Sequence, residues 1–484
     1  MARIVVVGAG MGAMAAAARL ATAGHRVTVV ERGDTFGGAL GRFTRDGFAF
    51  DTGPGLLYLP AVWRDLFVKT GRAELAERVP LDRVDPAAEH RFADGLVLRL
   101  PASLGGVRRA MDASFGAGAG ERWAGLLGRA RAAWEAVRRP LVEEPLTGAP
   151  PAALLADPYP ARPRGLLRRR PPATLAEAAR AELRDPRLAA LLAATAREYG
   201  CPPGELPPGA ALFAYLEQTF GLWYPRGGMR ALAEAVYARC RERGVEFRFG
   251  TQATGVLSRA GRAAGVELAD GEALEAEQVV WGAPPPNAGQ PRGLSRFTLL
   301  LALRGPRPPG TAHRTLLHGA LDTEPHGTPG DHGEPAGTVV RVLRPDDPTL
   351  VPDAGHEAVV LSAAAPAQGE VDWTAPGPVR EWTQRLLAAA ERAGLGLRER
   401  LLWHEARTPA DVARDTGTPG GVVAPPALAG AEGRLLAEPN TGRLPGLYRV
   451  GGLAHPGGGL AGVGMSGALA AGLIVEGPGW RGSA

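Results

Sequence analysis

The sequence near the N-terminus has a run of small residues that is followed by an acidic residue, a pattern that could bind a ligand. The small residues are Gly8, Gly10, Gly12 and Ala13. Glycine lets a backbone turn tightly and approach a pyrophosphate, whose charge is stabilised by the amides at a helix N-terminus. Glu31 stands 23 positions after Gly8 (31 − 8) and can accept hydrogen bonds from two ribose hydroxyls. This spacing predicts a dinucleotide-binding site, and the alternative is an ordinary glycine turn.

A second candidate group for chemistry, His455, lies in a glycine-rich stretch near the C-terminus. It is the only ionisable side chain between Gly451 and Gly467. A histidine can accept or donate a proton during a reaction, so His455 is the candidate catalytic residue. The alternative is a histidine that only hydrogen-bonds the backbone.

The elements around the first glycines must hold the dinucleotide site in place. The β-branched run Ile4–Val7 predicts a buried parallel strand, and an alanine-rich helix follows it and ends at Gly24. The run Arg26–Val30 predicts a second strand that leads directly to Glu31. Strand, glycines, helix, strand and acid together indicate an α/β fold of the Rossmann type.

The composition restricts the class of protein. The chain has 484 residues, 45% of them hydrophobic and 22% charged, which is typical of a globular protein with more than one core. Its two cysteines, Cys201 and Cys240, cannot form a disulfide framework. No apolar run reaches the roughly 18 residues of a membrane span and no signal peptide is evident, so a cytoplasmic location is expected. The net charge of +5 comes from scattered arginines, and no nucleic-acid partner is expected.

The identity of the dinucleotide is indicated by the residues after the acid. The pair Gly37–Gly38 is typical of flavoproteins that bind a dinucleotide rather than of nicotinamide dehydrogenases. The run Gly116–Glu121 follows no strand, so it indicates a loop or a helix start rather than a second fingerprint. One dinucleotide site indicates one cofactor, and FAD is the cofactor predicted.

Three blocks of the sequence resemble the carotenoid (phytoene) desaturase family of FAD-dependent oxidoreductases, within the amine-oxidase-like flavoproteins. They are DGFAFDTGP at residues 46–54, GLWYPRGGMRALAEAV at residues 221–236 and GLYRVGGLAHPGGGLAGVGMSGALAAGL at residues 446–473. The chain departs from the family at Ala39, where an arginine is usual, and has Arg42 three positions later. The cofactor-binding residues predicted from the motif and the resemblance together are Gly8, Gly10, Gly12, Ala13, Glu31, Arg32, Gly38, Arg42, Gly53, Pro54, Gly451, Gly452, Gly462 and Val463.

The resemblance implies that the C-terminal glycine stretch passes beside the flavin ring. The last strand, Leu447–Val450, would return to the cofactor domain, and a helix from Gly464 onward would point its N-terminus at the flavin. Side chains would block the flat ring, so glycines would clear the space for it. The amides at the helix end can stabilise negative charge on the reduced ring.

The implied function is FAD-dependent removal of hydrogen from an apolar polyene or isoprenoid such as phytoene. A hydride would pass from carbon to flavin N5, and the neighbouring carbon would lose a proton to water, to His455 or to another base. Oxygen or a quinone is expected as the electron acceptor, because no nicotinamide site is found. Two alternatives stay open: a flavin-dependent oxidase or desaturase of another lipid or secondary metabolite, and a flavin-free prenyl-binding protein on the same scaffold.

The expected architecture is an α/β fold with a Rossmann-type FAD-binding domain, an inserted α+β substrate domain and a helical lid. The expected boundaries are 1–75, 221–290 and 431–484 for the FAD-binding domain, 76–220 for the helical lid, and 291–430 for the substrate-domain sheet. Within the lid, Thr174 and Glu177 predict a capping box at a helix start.

Two segments between these parts suggest partners. Leu166 and Leu167 precede the arginines 168–170, and this combination can bind an anionic membrane surface reversibly, here at the inner face of the cell membrane. The alternative for that segment is a solvated charged loop. The loop of residues 318–337 carries His326, Asp331, His332 and Glu334. Their spacing fits no common metal site, so no metal is predicted.

Overall fold

The structure is a computed structural model that describes residues 1–160, 172–284, 293–321 and 338–482. Its α-helices are α1 (Met11–Thr22), α2 (Ala61–Gly71), α3 (Leu104–Phe115), α4 (Ala119–Arg138), α5 (Leu175–Leu183), α6 (Pro186–Arg197), α7 (Leu212–Phe220), α8 (Met229–Glu242), α9 (Pro376–Arg392), α10 (Pro409–Thr416) and α11 (Leu460–Val475). Its strands are β1 (Arg3–Val7), β2 (Arg26–Val30), β3 (Arg42–Arg45), β4 (Phe48–Asp51), β5 (Leu57–Tyr58), β6 (Leu81–Arg83), β7 (Ala88–Arg91), β8 (Val97–Leu100), β9 (Leu222–Pro225), β10 (Glu246–Arg248), β11 (Ala253–Arg259), β12 (Arg262–Leu268), β13 (Ala273–Glu275), β14 (Gln278–Trp281), β15 (Ser295–Arg304), β16 (Arg314–Leu321), β17 (Thr338–Leu343), β18 (His356–Ala365), β19 (Leu401–Arg407) and β20 (Leu447–Arg449).

A parallel sheet in the order β10-β2-β1-β14-β20 forms the frame of the first domain. Both faces of β1 are covered, because the consecutive residues Ile4, Val5, Val6 and Val7 are all buried. Strand β1 lies between β2 and β14, and ligands of such sheets bind in the crevice beyond the carboxyl ends of the central strands. The Rossmann-type fold predicted from the sequence is confirmed.

Helices α1, α8 and α11 share one hydrophobic core with one face of the parallel sheet. Helix α1 is rich in alanine and almost completely buried, which lets its neighbours approach closely. A Cβ built on Gly467 of α11 would lie 2.4 Å from the carbonyl oxygen of Gly12 in α1. The absence of a side chain at position 467 is therefore what allows these two helices to cross.

The opposite face of the parallel sheet packs against the antiparallel strands β11-β12-β13. Val5 and Val7 of β1 share a core there with Val266 and Leu268 of β12. The first two segments predicted as strands, Ile4–Val7 and Arg26–Val30, thus lie in the most enclosed part of the domain, where β-branched side chains pack well.

A mixed sheet of the described residues, in the order β19-β15-β18-β17-β16-β7-β8, forms the second domain. Strands β15 and β18 pair antiparallel from Ser295 opposite Ala365 to Arg304 opposite His356. They lie within residues 291–430, where the sequence analysis expects a sheet, and helix α9 packs on them.

The expectation that residues 76–220 are helical is wrong for its first part. Strand β7 pairs parallel with β16, and β8 pairs antiparallel with β7, so both belong to the sheet of the second domain. The reason for the error is physical, because β7 buries the polar side chains Glu89 and His90 where a strand pattern would have apolar ones. The described residues after β8 contain α3 to α7, which pack around a common apolar cluster.

Helix α5 begins as the sequence predicts, with one difference. The Glu177 amide donates to Thr174 Oγ1 at 3.2 Å, which is the first half of the predicted capping box. The Glu177 carboxylate accepts from the Ala173 amide at 2.7 Å, one residue before the cap. The helix start is therefore capped from both directions.

Two hypotheses from the sequence lie outside the described residues. They concern Leu166, Leu167 and the arginines 168–170 as a membrane contact, and the loop of His326, Asp331, His332 and Glu334. Within the described ranges, every helix is too short or too polar to cross a membrane.

Candidate functional site

The loop that joins β1 to α1 has the form predicted for a phosphate site. Gly8 has a φ of +91°, in the region that favours glycine, and its amide donates to the Val30 carbonyl oxygen at 2.8 Å. Gly10 immediately precedes α1, and a Cβ built on it would meet no atom within 4 Å beyond its own chain neighbours. The N-terminus of α1, where amides and the helix dipole favour an anion, therefore has space for a ligand.

Glu31 follows β2 and is held at the edge of this loop by two backbone amides. Its Oε2 accepts from the Ala9 amide at 2.7 Å, and its Oε1 accepts from the Gly33 amide at 2.8 Å. Each carboxylate oxygen keeps a lone pair for a further donor, so the group can accept ribose hydroxyls in a fixed orientation. The loop and Glu31 together fit the adenosine and pyrophosphate of a dinucleotide.

The glycine pair after Glu31 packs directly on the loop. The Gly37 amide donates to the Ala9 carbonyl oxygen at 2.8 Å. A Cβ built on Gly38, whose φ is +59°, would lie 3.2 Å from the Gly10 Cα atom. The predicted residue Gly38 is therefore adjacent to the open end of α1.

Gly12 and Ala13, the last residues of the motif, contact protein. A Cβ on Gly12 would lie 2.8 Å from the Val463 carbonyl oxygen and 3.2 Å from the Gly451 Cα atom. Ala13 is buried, and its methyl group lies close to Gly282. These small residues bring the predicted C-terminal residues Gly451 and Val463 against α1.

Asp51, at the end of β4, makes a long-range contact that the sequence analysis missed. Its two carboxylate oxygens accept from the Met229 amide at 2.6 Å and the Arg230 amide at 3.0 Å, at the N-terminus of α8. Burial raises the pKa of this carboxyl to about 6. The predicted residue Gly53 follows, and a Cβ there would lie 2.0 Å from the Ala39 carbonyl oxygen. Asp51 thus ties the first resembling block to the second, and the signal was an acid just before Thr-Gly-Pro.

The predicted arginines both reach backbone carbonyls. Arg32 is exposed and donates to the carbonyl oxygen of Arg414 in α10, which links the two domains. Arg42 is exposed and donates to the carbonyl oxygen of Gly227, just before α8. Pro54 is partly buried in the loop after β4. The contacts of both arginines are with protein, so their binding of a cofactor stays a prediction.

The C-terminal glycine stretch packs against the segment of residues 424–427. A Cβ on Gly458 would lie 1.7 Å from the Ala424 carbonyl oxygen. One on Gly457 would lie 2.6 Å from the Ala427 amide nitrogen, and one on Gly462 2.6 Å from the Gly457 carbonyl oxygen. Close backbone packing is therefore a reason for these glycines in addition to the space for a ring that the sequence analysis predicted.

Gly451 and Gly452 follow the last strand of the parallel sheet. The Gly451 amide donates to Ser466 Oγ at 3.1 Å, and a Cβ at this position would meet only the Gly282 carbonyl oxygen, at 3.6 Å. A Cβ on Gly452 would lie 3.0 Å from the Ala424 Cβ atom. Gly451 therefore has more room around it than the glycines that follow.

Helix α11 begins at Leu460, so the start predicted at Gly464 is wrong by one turn. Glycine disfavours helix in isolation, but the packing of α11 on α1 and α2 overrides that preference. Tyr58 and Tyr199 lie beside its N-terminus, where a Cβ on Gly459 would be 3.0 Å from the Tyr58 hydroxyl. Their ring centroids are 5.9 Å apart, and no sequence pattern indicated this pair.

His455 is completely buried and bonded to the backbone. Its Nε2–H donates to the Glu144 carbonyl oxygen at 3.1 Å, and its amide donates to the Glu438 carbonyl oxygen at 2.8 Å. The Asn440 amide group donates to the His455 carbonyl oxygen at 2.7 Å. Nδ1 is buried without a hydrogen-bond partner among the described residues, and burial lowers the pKa of the imidazole to about 4. These contacts match the backbone-bonded alternative, and Nδ1 is the atom left for chemistry.

Comparison with known proteins agrees with this arrangement. The family of flavin containing amine oxidoreductases matches residues 14–310 of the chain. The chain is 31% identical to a hydroxyneurosporene desaturase of Rubrivivax gelatinosus, over 98% of this chain and 93% of that protein. It is 28% identical to a 4,4'-diapolycopene oxygenase of Methylomonas sp, over 98% of each.

The fold is also that of a solved structure, putrescine oxidase bound to putrescine. The two superpose with a TM-score of 0.66 at 15% sequence identity, over 98% of this chain and 99% of that one. At that identity the likeness concerns the fold alone. The family match and the desaturase relative together show that this chain is a flavin-dependent oxidoreductase and belongs, within the flavin containing amine oxidoreductases, to the carotenoid desaturase family.

Proposed function

We propose that this chain is an FAD-dependent desaturase that removes hydrogen from an apolar polyene of the carotenoid type. The observation that carries the proposal is the open N-terminus of α1 beside Gly10, with Glu31 held by two amides at its edge. The helix end suits a pyrophosphate and the carboxylate suits the ribose of an adenosine, and FMN has neither group. The names of the two relatives support a polyene substrate.

The residues of the chain would bind and orient the cofactor, which when bound supplies an acceptor for a hydride from carbon. The amides that begin α1 would bind the pyrophosphate, and Glu31 would accept the ribose hydroxyls. The amides at the N-terminus of α11, after Gly459, favour negative charge at that end of the site. The apolar surroundings would exclude water from the reacting carbons.

His455 is our proposed proton acceptor, through Nδ1. Its Nε2 is engaged by the Glu144 carbonyl, and its low pKa keeps the ring neutral and able to accept a proton at pH 7. The alternative, a histidine that only ties backbone segments together, is supported by the same contact and by the bond to Glu438. Substitutions of His455 distinguish the proton acceptor from the backbone contact.

We propose oxygen or a quinone as the final electron acceptor. The support is that the second glycine-rich run, Gly116–Glu121, follows α3 and continues into the first turn of α4. It follows no strand, so it lacks the setting of a nicotinamide site. A reversible contact with a membrane surface is also proposed, because an apolar polyene partitions into a bilayer rather than into water.

The sequence analysis leaves two other functions open, one with a different substrate and one without flavin. A flavin-dependent oxidase or desaturase of another lipid or secondary metabolite would use the same cofactor residues. A flavin-free prenyl-binding protein would need neither the open end of α1 nor a fixed carboxylate at Glu31. The retained geometry of these two features favours an enzyme.

The test is to purify the protein and present it anaerobically with a panel of polyenes, saturated isoprenoids and amines. We expect a yellow protein that releases FAD, and bleaching of its absorbance near the flavin bands by an acyclic polyene but not by a saturated isoprenoid or by putrescine. A colourless protein that does not take up FAD would overturn the assignment as an enzyme. Bleaching by amines alone would overturn the proposed polyene substrate.

A further inference from the structure

The sheet of the second domain carries polar side chains on the face that meets the first domain. Directly paired residues of antiparallel strands share a face, so Thr298 of β15, Ser362 of β18 and Arg341 of β17 form one row. Leu343, two residues after Arg341, is on the same face, and a Cβ built on Gly55 would collide with its Cδ1 atom. Because Gly55 directly follows two predicted cofactor-binding residues, this polar row lies beside the predicted cofactor site.

A cluster of three arginines and two glutamates is buried at this face. Arg314 of β16 binds both carboxylates, since it donates to Glu217 at 2.5 Å and to Glu198 at 2.8 Å. Arg296 of β15 donates to the backbone carbonyl oxygen of Glu198, rather than to its carboxylate, at 2.5 Å. Arg341 Nη1 lies 3.9 Å from Glu198 Oε1, beyond hydrogen-bond distance. Three guanidinium groups therefore stand against two carboxylates, and one positive charge of the cluster is not balanced within it.

Arg296 and Arg341 keep donors that the cluster does not use. A guanidinium has five N–H groups. Arg341 uses Nε to donate to Ser362 Oγ at 3.2 Å, and Arg296 uses Nη2 for its carbonyl contact. The Arg341 side chain is 13% exposed, so part of it still borders open space, and Glu198 Oε1 is buried without a hydrogen-bond partner among the described residues. The cluster is therefore not closed on itself.

The unbalanced charge destabilises the folded protein. Burial lowers the pKa of Arg296, and burial together with repulsion from Arg296 lowers the pKa of Arg341 to about 9. A buried charge without a partner costs free energy that an apolar side chain of similar size would avoid. Charged groups that are held at such a cost, beside a predicted cofactor site, point to a ligand of the opposite charge.

A carboxylate is the ligand that fits these two arginines. Its planar oxygens accept paired N–H bonds from a guanidinium, a geometry that a lysine would not offer. Its single negative charge matches the unbalanced positive charge, whereas a diphosphate would bury negative charge in excess. An uncharged hydrocarbon end would leave the remaining donors of Arg296 and Arg341 without an acceptor.

The cluster is adjacent to the aromatic pair at the start of α11. Tyr199 directly follows Glu198 in the chain. A Cβ built on Gly459 would lie 3.6 Å from Tyr199 Cε1 and 3.0 Å from the Tyr58 hydroxyl. A ligand held by its carboxylate at Arg296 would therefore pass these rings as its carbon chain extends towards the proposed flavin site.

We propose that Arg296 and Arg341 bind a carboxylate at one end of the substrate, so that the chain acts on a polyene acid in preference to a polyene with an uncharged end. This inference rests on the proposed function. The two guanidinium groups would donate to the carboxylate oxygens, while Arg314 would stay paired with its two glutamates. These contacts determine which substrate is bound and in which direction, and they include no chemical step.

The experiment compares an acyclic polyene monocarboxylic acid with its methyl ester on the FAD-loaded protein. Both are presented in uncharged detergent micelles at about pH 8, where a carboxylic acid is ionised. Binding is measured by quenching of tryptophan fluorescence, and reaction by anaerobic bleaching of the flavin. We expect the acid to bind at least about tenfold more tightly than the ester, about 1.4 kcal/mol, and Arg296→Gln and Arg341→Gln to reduce this ratio towards one.

Arg304→Gln is the matched control, because it removes one positive charge from the exposed end of the strand that carries Arg296. We expect this variant to keep the ratio. Loss of the ratio in Arg304→Gln as well would assign the preference to the overall charge of the protein and overturn the proposal. An unchanged ratio in both Arg296→Gln and Arg341→Gln would also overturn it.

The stability of the protein without substrate separates ligand binding from a structural role. If Arg341 serves a ligand, Arg341→Gln should leave the free energy of unfolding unchanged or raise it, because an unbalanced buried charge is removed. A loss of stability together with an unchanged preference for the acid would assign Arg341 to the fold and overturn the proposal. If Arg341→Gln does not fold, the binding ratio of Arg296→Gln decides.

The failure of this inference differs from that of the proposed function. Equal binding and equal bleaching by acid and ester would overturn the carboxylate site and leave the desaturase standing. Tighter binding of the acid without bleaching by any polyene would leave the carboxylate site standing and overturn the desaturase. Tighter binding of an isoprenoid diphosphate than of the acid would overturn the choice of a carboxylate, and binding of neither acid nor ester would overturn both proposals.

Discussion

Gly12 of α1 lies so close to Val463 of α11 that a Cβ at position 12 would be 2.8 Å from the Val463 carbonyl oxygen. Gly10, two residues earlier, has open space at the same place. The two glycines of one motif therefore have different roles. Gly12 allows α1 and α11 to pack closely, and Gly10 leaves room for a ligand.

Gly12→Ala should destabilise the protein itself. Its Cβ would press on Val463 and on the Gly451 Cα atom at 3.2 Å, and overpacking of this kind costs about 1–3 kcal/mol. We expect a lower free energy of unfolding in denaturant for the protein without FAD. The control is Gly125→Ala in the interior of α4, where a Cβ meets nothing within 4 Å and alanine should be neutral or stabilising. Equal effects of the two variants would contradict the packing argument.

Gly10→Ala should weaken FAD binding without destabilising the protein itself. Its φ of −72° is allowed for alanine and its Cβ meets no protein atom, so the stability without FAD should stay unchanged. The methyl group would occupy the space in which we expect the pyrophosphate, so FAD affinity should fall at least about tenfold, about 1.4 kcal/mol. The measurement is titration of the apoprotein by flavin fluorescence. Unchanged affinity would show that the ligand does not approach this end of α1.

Glu31→Gln should weaken FAD binding without a large loss of fold. The carboxylate accepts from Ala9 and Gly33 and has lone pairs for a ribose, and hydrogen bonds to charged groups contribute about 1.5–3 kcal/mol each. We expect at least a tenfold increase in the dissociation constant of FAD. Glu246→Gln, at an exposed glutamate on the neighbouring strand β10, is the control. A similar effect of both substitutions would remove Glu31 from the cofactor site.

Three buried histidines and the partly buried His313 should make the protein less stable in mild acid. Burial lowers the pKa of His313 and His455 to about 4 and that of His318 to about 3, and it lowers the pKa of His90 well below 6.5. The unfolded chain binds protons near 6.5, so stability falls as the pH drops from about 6.5 towards 4, by about 2 kcal/mol at most for each group at pH 5. Asp51 acts oppositely, because its raised pKa of about 6 adds stability as the pH falls through that value. The free energy of unfolding in denaturant, measured at pH 7 and pH 5, shows which effect is larger. An equal or greater free energy of unfolding at pH 5 would contradict the prediction.

The part of the site that the sequence predicted is local in the chain. Strands β1 and β2, the loop at Gly8 and Gly10, and Glu31 lie within about 30 residues, where periodicity and turn chemistry determine the structure. The start of α11 was misplaced because its glycines are explained by contacts with neighbouring helices, Gly467 with α1 and Gly464 with α2, rather than by helix preference.

The part that the sequence did not predict depends on contacts between distant segments. His90 meets His318 across 228 positions, and Asp51 meets the amide of Met229 across 178. In neither contact does the sequence around one residue indicate which residue is its partner. The strand that carries His90 was missed for the same reason, since its polar side chains are buried by a sheet assembled from remote strands.

The last prediction concerns His455 and separates its two proposed roles. A glutamine amide can donate to the Glu144 carbonyl as Nε2 does, but it cannot take up a proton as Nδ1 can. If His455 accepts the substrate proton, His455→Gln should keep its FAD and its thermal stability while substrate-dependent flavin reduction slows about 10²-fold. His455→Ala is the comparison, since it removes the contact to Glu144 as well and should lose stability in addition. A glutamine variant that reduces flavin at the wild-type rate would assign the histidine to the backbone contact alone.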